Sequence, residues 1–550
     1  MDTREYLNGK SKDGYKFFGS HKRSKGYIFR ILAPAAKRAY ISGDFNNWDK
    51  DKLRKYSTGV FSISMESAKV GDRYEFVIED SEGRQVKKLD PYGRRICLDE
   101  KTSVITDSNY KFKYKKIKEK PKNIYQVHLG SLLKDSKVED VYKKLLTHLK
   151  NNNFTHVQFM PVTEYKTYKH MGYSSLGLYA FSERYGRLDD FKKLIDMLHK
   201  VRIGTILELD IGEFDSDSLY LDNFDGKNPY NYDYENIKYN YFGSVNFDPS
   251  KNLVKSYLLS LVDYYTKDLN IDGIYFSSIE NMVYWQGDRM RGVNETWTVL
   301  IKEINKLVKK NNSYSLAGIN GIYDDLNLGF DLVYDTEFRK MVEVFQKEPY
   351  QREKYKAYIT SFITEESSNK IYGFSYVDSV INEASLAMKM YSEDMKIEQL
   401  KTLFTFLMTL KPAKMVFMGN ETCDMRTFSV YDKFEFKSDN DSKFNDFYRD
   451  LTDLYKKTQS LNEKKSVSEI LDVTGFSIYG YERIYNDEKI LVLVNFTDIS
   501  YEIDSPYNLK ELLNTNDLKY KGNGNINGSV KKGEEIFIEA FGSAIFKIEK

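Results

Sequence analysis

Hydrophobic and polar positions along this 550-residue chain change rhythm twice. From residue 15 to about 110, short runs such as GYIFRIL, RAYISGDF, GVFSISM and DRYEFVIED tend to alternate apolar and polar residues with period two. Turn segments (FNNWD, SEGR) separate them, which predicts a small β-sandwich. From about 123 the pattern becomes short apolar runs divided by longer amphipathic stretches, the mark of βα units. The runs are NIYQVHLGSL, FTHVQFMPV, IGTILELDI, DGIYFSSI, YSLAGING, FDLVYDTEF, KIYGFSYVD and AKMVFMGNE, eight in all. Between them VEDVYKKLLTHLKNNN, RLDDFKKLIDMLHKVR and NETWTVLIKEINKLVKKNN read as helices. Eight such repeats over roughly 300 residues predict a (β/α)8 barrel, whose active site lies at the C-terminal strand ends. From about 465 strands return (FSIYGYER, KILVLVNFT, EIFIEA, SAIFKI) and predict a closing β-sandwich.

The expected fold class is multidomain α/β: a TIM barrel flanked by an N-terminal β-sandwich and a C-terminal all-β domain. The expected boundaries are 1–14 for an N-terminal extension, 15–110 for the first sandwich, 111–464 for the barrel and 465–550 for the last domain. The lysine-rich stretch KFKYKKIKEKPKN is expected to be a solvated linker. A net charge of +2 argues against a nucleic-acid partner, which calls for a basic stripe. Two cysteines, Cys97 and Cys423, are too few for a disulfide framework and fit a reduced, cytoplasmic setting. No apolar run nears roughly 18 residues, so no membrane association is expected. No zinc-type Cys/His cluster, phosphate-cradling glycine loop or EF-hand spacing occurs, so neither a metal nor a cofactor is expected.

Several motifs, in order, carry a resemblance. YKFFGSH at Tyr15–His21 and SGDFNNWD at Ser42–Asp49 are similar to a carbohydrate-binding module of family 48, and LDPYGRR at Leu89–Arg95 to the segment before the barrel. IYQVHLGSL at Ile124–Leu132, FTHVQFMPVTE at Phe154–Glu164 and GYSSLGLYAFSERYGRLDDF at Gly172–Phe191 resemble the first two barrel strands and the substrate loop. FMGNE at Phe417–Glu421 and LLNTNDLKYKGNGNING at Leu512–Gly528 resemble the eighth strand and the C-terminal domain. The family so resembled is the 1,4-α-glucan branching enzymes of glycoside hydrolase family 13. Members cleave an α-1,4 bond with retention and pass the glucan to a 6-hydroxyl, which needs a carboxylate nucleophile and a carboxylic acid about 5 Å apart.

The resemblance also says where those groups belong, and this chain departs from the pattern there. Ser277 stands in the nucleophile's position after strand four, with Tyr275 replacing the arginine beside it. Gly318 stands in the acid's position on strand five, and Val377 in that of the third acid after strand seven. The strand-three signature, an Asp followed by a His, is met by Glu208 through Glu213 without a histidine. Two losses survive any small slip of register: no acidic residue lies between Asp272 and Glu280, or from Asn311 to Tyr323. All six histidines lie at or before His199.

Remaining acids near the expected mouth are Glu164, Asp210, Glu213, Glu280, Asp335, Glu337, Asp378 and Glu421. Asp378, Glu280 and Glu213 are the candidates for displaced acids, although a capping role for Asp378 before SVINEASL is favoured. Tyr173 matches the family tyrosine that stacks under the sugar. Trp48 could offer a glucan platform, but packing in the module's core is favoured; Tyr179, Tyr185 and Tyr284 are weaker aromatic candidates. His128 and His156 are expected to be satisfied core histidines rather than ligands. The leading expectation is a catalytically inactive pseudoenzyme of glycogen metabolism that binds α-glucan or partners another glycogen-metabolism enzyme. The alternatives are an active branching enzyme or glucanotransferase using displaced carboxylates, and a scaffold or assembly protein with no sugar ligand.

Overall fold

The computed structural model describes residues 2–319, 326–380, 383–436, 443–471 and 477–549. Residue Asn320, quoted above in the strand-five run, lies outside them, as do Ile381, Asn382 and Phe476. Eight parallel strands close into a barrel in chain order: β1 (Asn123–Val127), β2 (His156–Phe159), β3 (Gly204–Leu209), β4 (Gly273–Phe276), β5 (Tyr314–Ile319), β6 (Leu332–Asp335), β7 (Lys370–Phe374) and β8 (Ala413–Phe417). Each falls within one of the eight apolar runs. Strands sealed on both faces in this way need continuous apolar sequence. Spatially the chain groups into two units: residues 1–119, 128–133 and 159–331, and residues 120–127, 134–158 and 332–550.

The first unit opens with the predicted sandwich. One sheet joins Gly19–Lys22, Tyr27–Leu32, Val60–Met65 and Arg54–Lys55. The other is built on Arg38–Gly43 and Arg73–Glu79, and Phe29, Ile31, Ile41, Phe61, Tyr74 and Phe76 are buried. Lys88 leaves this module with its ammonium buried, donating to Ser218 O (2.5 Å) and Asp222 O (2.6 Å) in the segment after β3. The lysine-rich linker is not simply solvated as expected. Asp196 on helix α1 (Leu188–Lys200) accepts from Tyr110 Oη, Lys113 N and Tyr114 N, and Asp272 accepts from Ile117 N at 2.8 Å. Buried carboxylates thus pin main-chain donors that composition alone assigns to water. Helix α1 buries Phe191, Leu194, Ile195 and Leu198, and helix α2 (Glu295–Lys310) is capped by Asn294, whose side chain accepts from Trp297 N.

In the second unit β1 pairs with β8 and β6 with β7, all parallel. Helix α3 (Lys396–Thr409) is buried along most of its length and docks the C-terminal domain, where Lys401 Nζ donates to Thr515 O at 3.0 Å. That domain is an antiparallel six-stranded sheet with a separate two-stranded pair, closed over Leu491, Leu493, Ile536, Ile538 and Phe546. No helix among the described residues is long and apolar enough to cross a membrane.

Replacing Lys88 by methionine keeps the aliphatic stem but removes the buried ammonium that Ser218 O and Asp222 O share. The expected loss is about 1–3 kcal/mol, read as a lower denaturant midpoint for Lys88→Met. An unchanged midpoint would mean that the module is held elsewhere.

Candidate functional site

In the first unit, the ends of β3, β4 and β5 bring together several of the positions singled out above. Strands β3 and β4 run in register from Ile206↔Gly273 to Leu209↔Phe276, and β4 pairs with β5 up to Phe276↔Ala317. Ser277 follows directly and is buried, its N and Oγ both donating to Leu209 O, at 3.1 and 3.3 Å. The hydroxyl is therefore turned back onto the neighbouring strand. Ser278 takes a left-handed conformation (φ +54°) and starts the short helix Ile279–Val283, with half-buried Glu280 in its first turn.

Gly318 sits on β5 against Tyr275 of β4. A Cβ built on Gly318 would meet the Tyr275 hydroxyl closer than real Cβ atoms approach another heavy atom. The tyrosine therefore occupies space that any side chain at 318 would need. Sequence reasoning recorded Tyr275 only as a lost arginine. Tyr275 stands two residues before Ser277 on the same strand face, but its register partner on β5 is Leu316, so its ring reaches Gly318 diagonally and strand spacing alone does not reveal the contact.

The end of β3 holds three carboxyl groups. Buried Glu208 accepts from Tyr173 Oη at 2.5 Å, which ties the half-buried Tyr173 ring to the site. Asp210 Oδ1 accepts from Gly212 N at 3.1 Å, and Glu213 Oε2 accepts from Asn240 Nδ2. Burial pushes both the Asp210 and Glu213 carboxyls above the ordinary range, and the nearby Asp210 charge raises Glu213 further. This pair was not foreseen as a unit.

The other acids have partners that explain them. Asp378 is buried in the helix Tyr376–Val380, accepting from Ser375 N, Ser375 Oγ and Tyr334 Oη, each at 2.8 Å, and pairing with Arg339 Nε at 3.0 Å. Asp378 thus lies inside the first turn of its helix and reaches back to Ser375 N, and does not stand ahead of a helix that begins at Ser379 as expected. Val377 beside it is 43% exposed. Asp335 pairs with Lys370 (3.2 Å) and Glu337 with Lys340. Glu421 is buried under Tyr125 Oη (2.9 Å) and Gly419 N (2.9 Å), and Glu164 against Arg184 (2.6 Å).

Trp48 departs from the core position favoured for it: the indole is 37% exposed. Residues Asn47 and Trp48 are both left-handed (φ +54° and +64°), and indole Nε1 donates to Asp44 at 3.1 Å, which holds the ring outside the sandwich. Tyr179, Tyr185 and Tyr284 are buried and offer no face to a ligand. His128 and His156 are buried on or next to barrel strands, and burial lowers His128 to about 4. Among the described residues no group of three or more His, Cys, Asp or Glu side chains could hold a metal ion.

The raised Glu213 carboxyl sets a pH dependence. The folded chain keeps this proton to higher pH than the unfolded chain, which releases it near about pH 4. Stability from this group is thus full at low pH and is lost as pH rises from about 4 through the folded value. Glu213→Gln leaves Asn240 an amide oxygen and removes that loss. Its stability relative to wild type is expected to be greater at pH 8 than at pH 5, by on the order of 1 kcal/mol, measured as the change in melting temperature. An equal difference at both pH values would show that Glu213 is ionised throughout.

Residues 17–93 match the model of carbohydrate-binding module 48 (isoamylase N-terminal domain). By shape the chain is similar to a pullulanase from Anoxybacillus sp. LM18-11, complexed with maltotetraose, at TM-score 0.80 and 13% identity over 100% of this chain and 89% of that one. That likeness shows the fold. In sequence the chain is 28% identical to a 1,4-alpha-glucan branching enzyme of Fusobacterium nucleatum, over 95% of its own length and 92% of the relative's. It is 30% identical to one of Clostridium perfringens, over 96% of its own length and 87% of the relative's. With identity at that level sustained through sandwich, barrel and C-terminal domain, the chain belongs to the 1,4-alpha-glucan branching enzyme family.

Proposed function

We propose that this chain is a non-catalytic member of its family that binds α-glucan without cleaving it. The observation that carries the reading is the contact between Tyr275 and Gly318, next to a serine whose hydroxyl is bonded to Leu209 O. Retaining transfer needs two carboxyl groups about 5 Å apart on either side of the scissile bond. At the two positions where the family places them stand a serine and a glycine, and the space at the glycine is filled. A serine without an adjacent base cannot replace a carboxylate as nucleophile. Asp378, the nearest acid to the third vacated position, is committed to its cap and to Arg339. Glucan as the ligand is supported by the module match, by the relatives' activity and by the Tyr173 ring held at the site by Glu208. A partner enzyme of glycogen metabolism fits the same reading.

One observation favours the second reading: the Asp210 and Glu213 carboxyls are both raised, which favours the protonated form that a general acid would need. Both readings are separated by incubating the protein with amylose, staining with iodine, and running the same sample through glycogen by affinity electrophoresis. Unchanged colour with retarded migration is expected. A fall in colour would overturn the proposal, and Glu213→Gln, Glu280→Gln and Asp378→Asn would then identify the acid. Unchanged colour with unretarded migration would leave a scaffold.

The Tyr275–Gly318 contact makes its own prediction. Gly318→Glu alone overpacks the site and is expected to cost about 1–3 kcal/mol. Adding Tyr275→Ala should return part of that loss, giving a coupling of about 1 kcal/mol in a double-mutant cycle. Strict additivity of the two changes would show that Tyr275 does not occupy that space.

A further inference from the structure

Between β3 and the helix Asn252–Asp263, the chain makes a tight turn at Asn240–Ser244. Its backbone closes through Asn240 N to Ser244 O (2.9 Å) and Gly243 N to Asn240 O (3.1 Å), with Gly243 left-handed at φ +84°. The Asn240 side chain completes it, Oδ1 accepting from Phe242 N (2.9 Å) and Ser244 N (3.0 Å). Below the turn, Tyr239 bridges to Val245, and Glu213–Phe214 pairs with Val245–Asn246. The tip is therefore fixed in place, and it carries Tyr241 and Phe242, 96% and 82% exposed, with ring centroids 5.5 Å apart. Two large aromatics fully in water on a well-bonded turn are an unusual surface and mark an interaction site.

The base of the turn touches the site described above. Asn240 Nδ2 donates to Glu213, and Ser244 Oγ lies 2.7 Å from Ser174 Oγ, one residue from Tyr173. The segment Asn-Tyr-Phe-Gly-Ser carries no charge, so what it contacts must be recognised without ion pairing. Aromatic faces next to hydrogen-bonding side chains suit a neutral pyranose, whose apolar face stacks while its hydroxyls bond. We propose that the Tyr241–Phe242 turn is a second α-glucan contact, holding sugar units of a chain that extends beyond the Tyr173 site. This rests on the reading that the protein binds α-glucan.

The test uses the whole chain and titrates maltotriose and maltoheptaose calorimetrically into wild type, into Tyr241→Ala/Phe242→Ala, and into the ring-keeping swap Tyr241→Phe/Phe242→Tyr. The alanine pair is expected to weaken maltoheptaose about tenfold and maltotriose less than about twofold. The swap should bind maltoheptaose within about twofold of wild type. Wild-type binding unchanged by the alanine pair would overturn this inference alone. An affinity lost equally for both sugars, or in the swap as much as in the alanine pair, would also overturn it, because the rings would then not be the contact. Binding of neither sugar by wild type would overturn this inference together with the glucan reading beneath it.

Discussion

The carboxylate of Asp272, fully buried at the foot of β4, is the constraint on which the first unit's part of the barrel turns. It accepts from Thr205 N (2.6 Å), Thr205 Oγ1 (2.9 Å) and Ile117 N (2.8 Å), and pairs with His199 Nε2 at 2.8 Å. One side chain thereby joins β3, β4, helix α1 and the entering linker. A buried carboxylate is tolerated only when its oxygens are fully hydrogen-bonded, and this one is. The register it helps to set decides what meets at the opposite end: Ser277 against Leu209, and Tyr275 against Gly318. The frame specifies each of these strand positions independently of which side chains stand at the strand ends.

That separation of frame from site explains the pattern of acids. Those that remain are mostly held by structural partners: Asp378 caps a helix, Glu421 closes the turn after β8, Glu164 pairs with Arg184, and Glu208 holds Tyr173. Removing any of them would orphan buried donors and cost stability. Carboxylates at 277 and 318 would have no such duty, and their absence leaves no donor stranded: Ser277 satisfies itself on Leu209 O, and Gly318 yields its space to Tyr275. Asp210 and Glu213 stand between these classes, acids kept close together at the price of raised protonation.

The fold was legible because its signals are local. Eight apolar runs of strand length alternating with amphipathic helices leave few architectures, and each run holds its strand. What escaped the sequence depends on contacts distant along the chain or on side-chain direction. The lysine-rich linker looks solvated from its composition, while its main-chain donors are taken by Asp196 and Asp272, about 80 to 160 residues away by sequence number, and Lys116 donates to Asn311 O and Ser313 Oγ. Trp48 looks like core because tryptophan is apolar, but two successive left-handed residues and a bond to Asp44 turn it outward. The positions Ser277, Gly318 and Val377 could be named in advance by resemblance. That Tyr275 fills the space at Gly318 could not be, since spacing along one strand says nothing of which ring reaches the next.

On the proposed reading, a barrel that does not cleave its ligand has different uses for binding energy. In an active transferase, affinity for bound glucan helps turnover only where contacts strengthen in the transition state, and tight ground-state binding is a hindrance. On the proposed reading that limit is lifted, and every aromatic contact along the chain adds to retention. The observed arrangement follows that logic. Tyr173 is anchored to Glu208, Asn240 to Glu213, and Ser244 to Ser174, so these three bonds fix aromatic-bearing segments beside the end of β3. Glu213 illustrates the exchange most directly. Where the family places a histidine at the end of strand three, this chain has an acid that anchors the turn carrying Tyr241 and Phe242. On the proposed reading, a group at the position of the family's reaction centre serves as a support for an exposed surface, which is a change of role and not merely a loss.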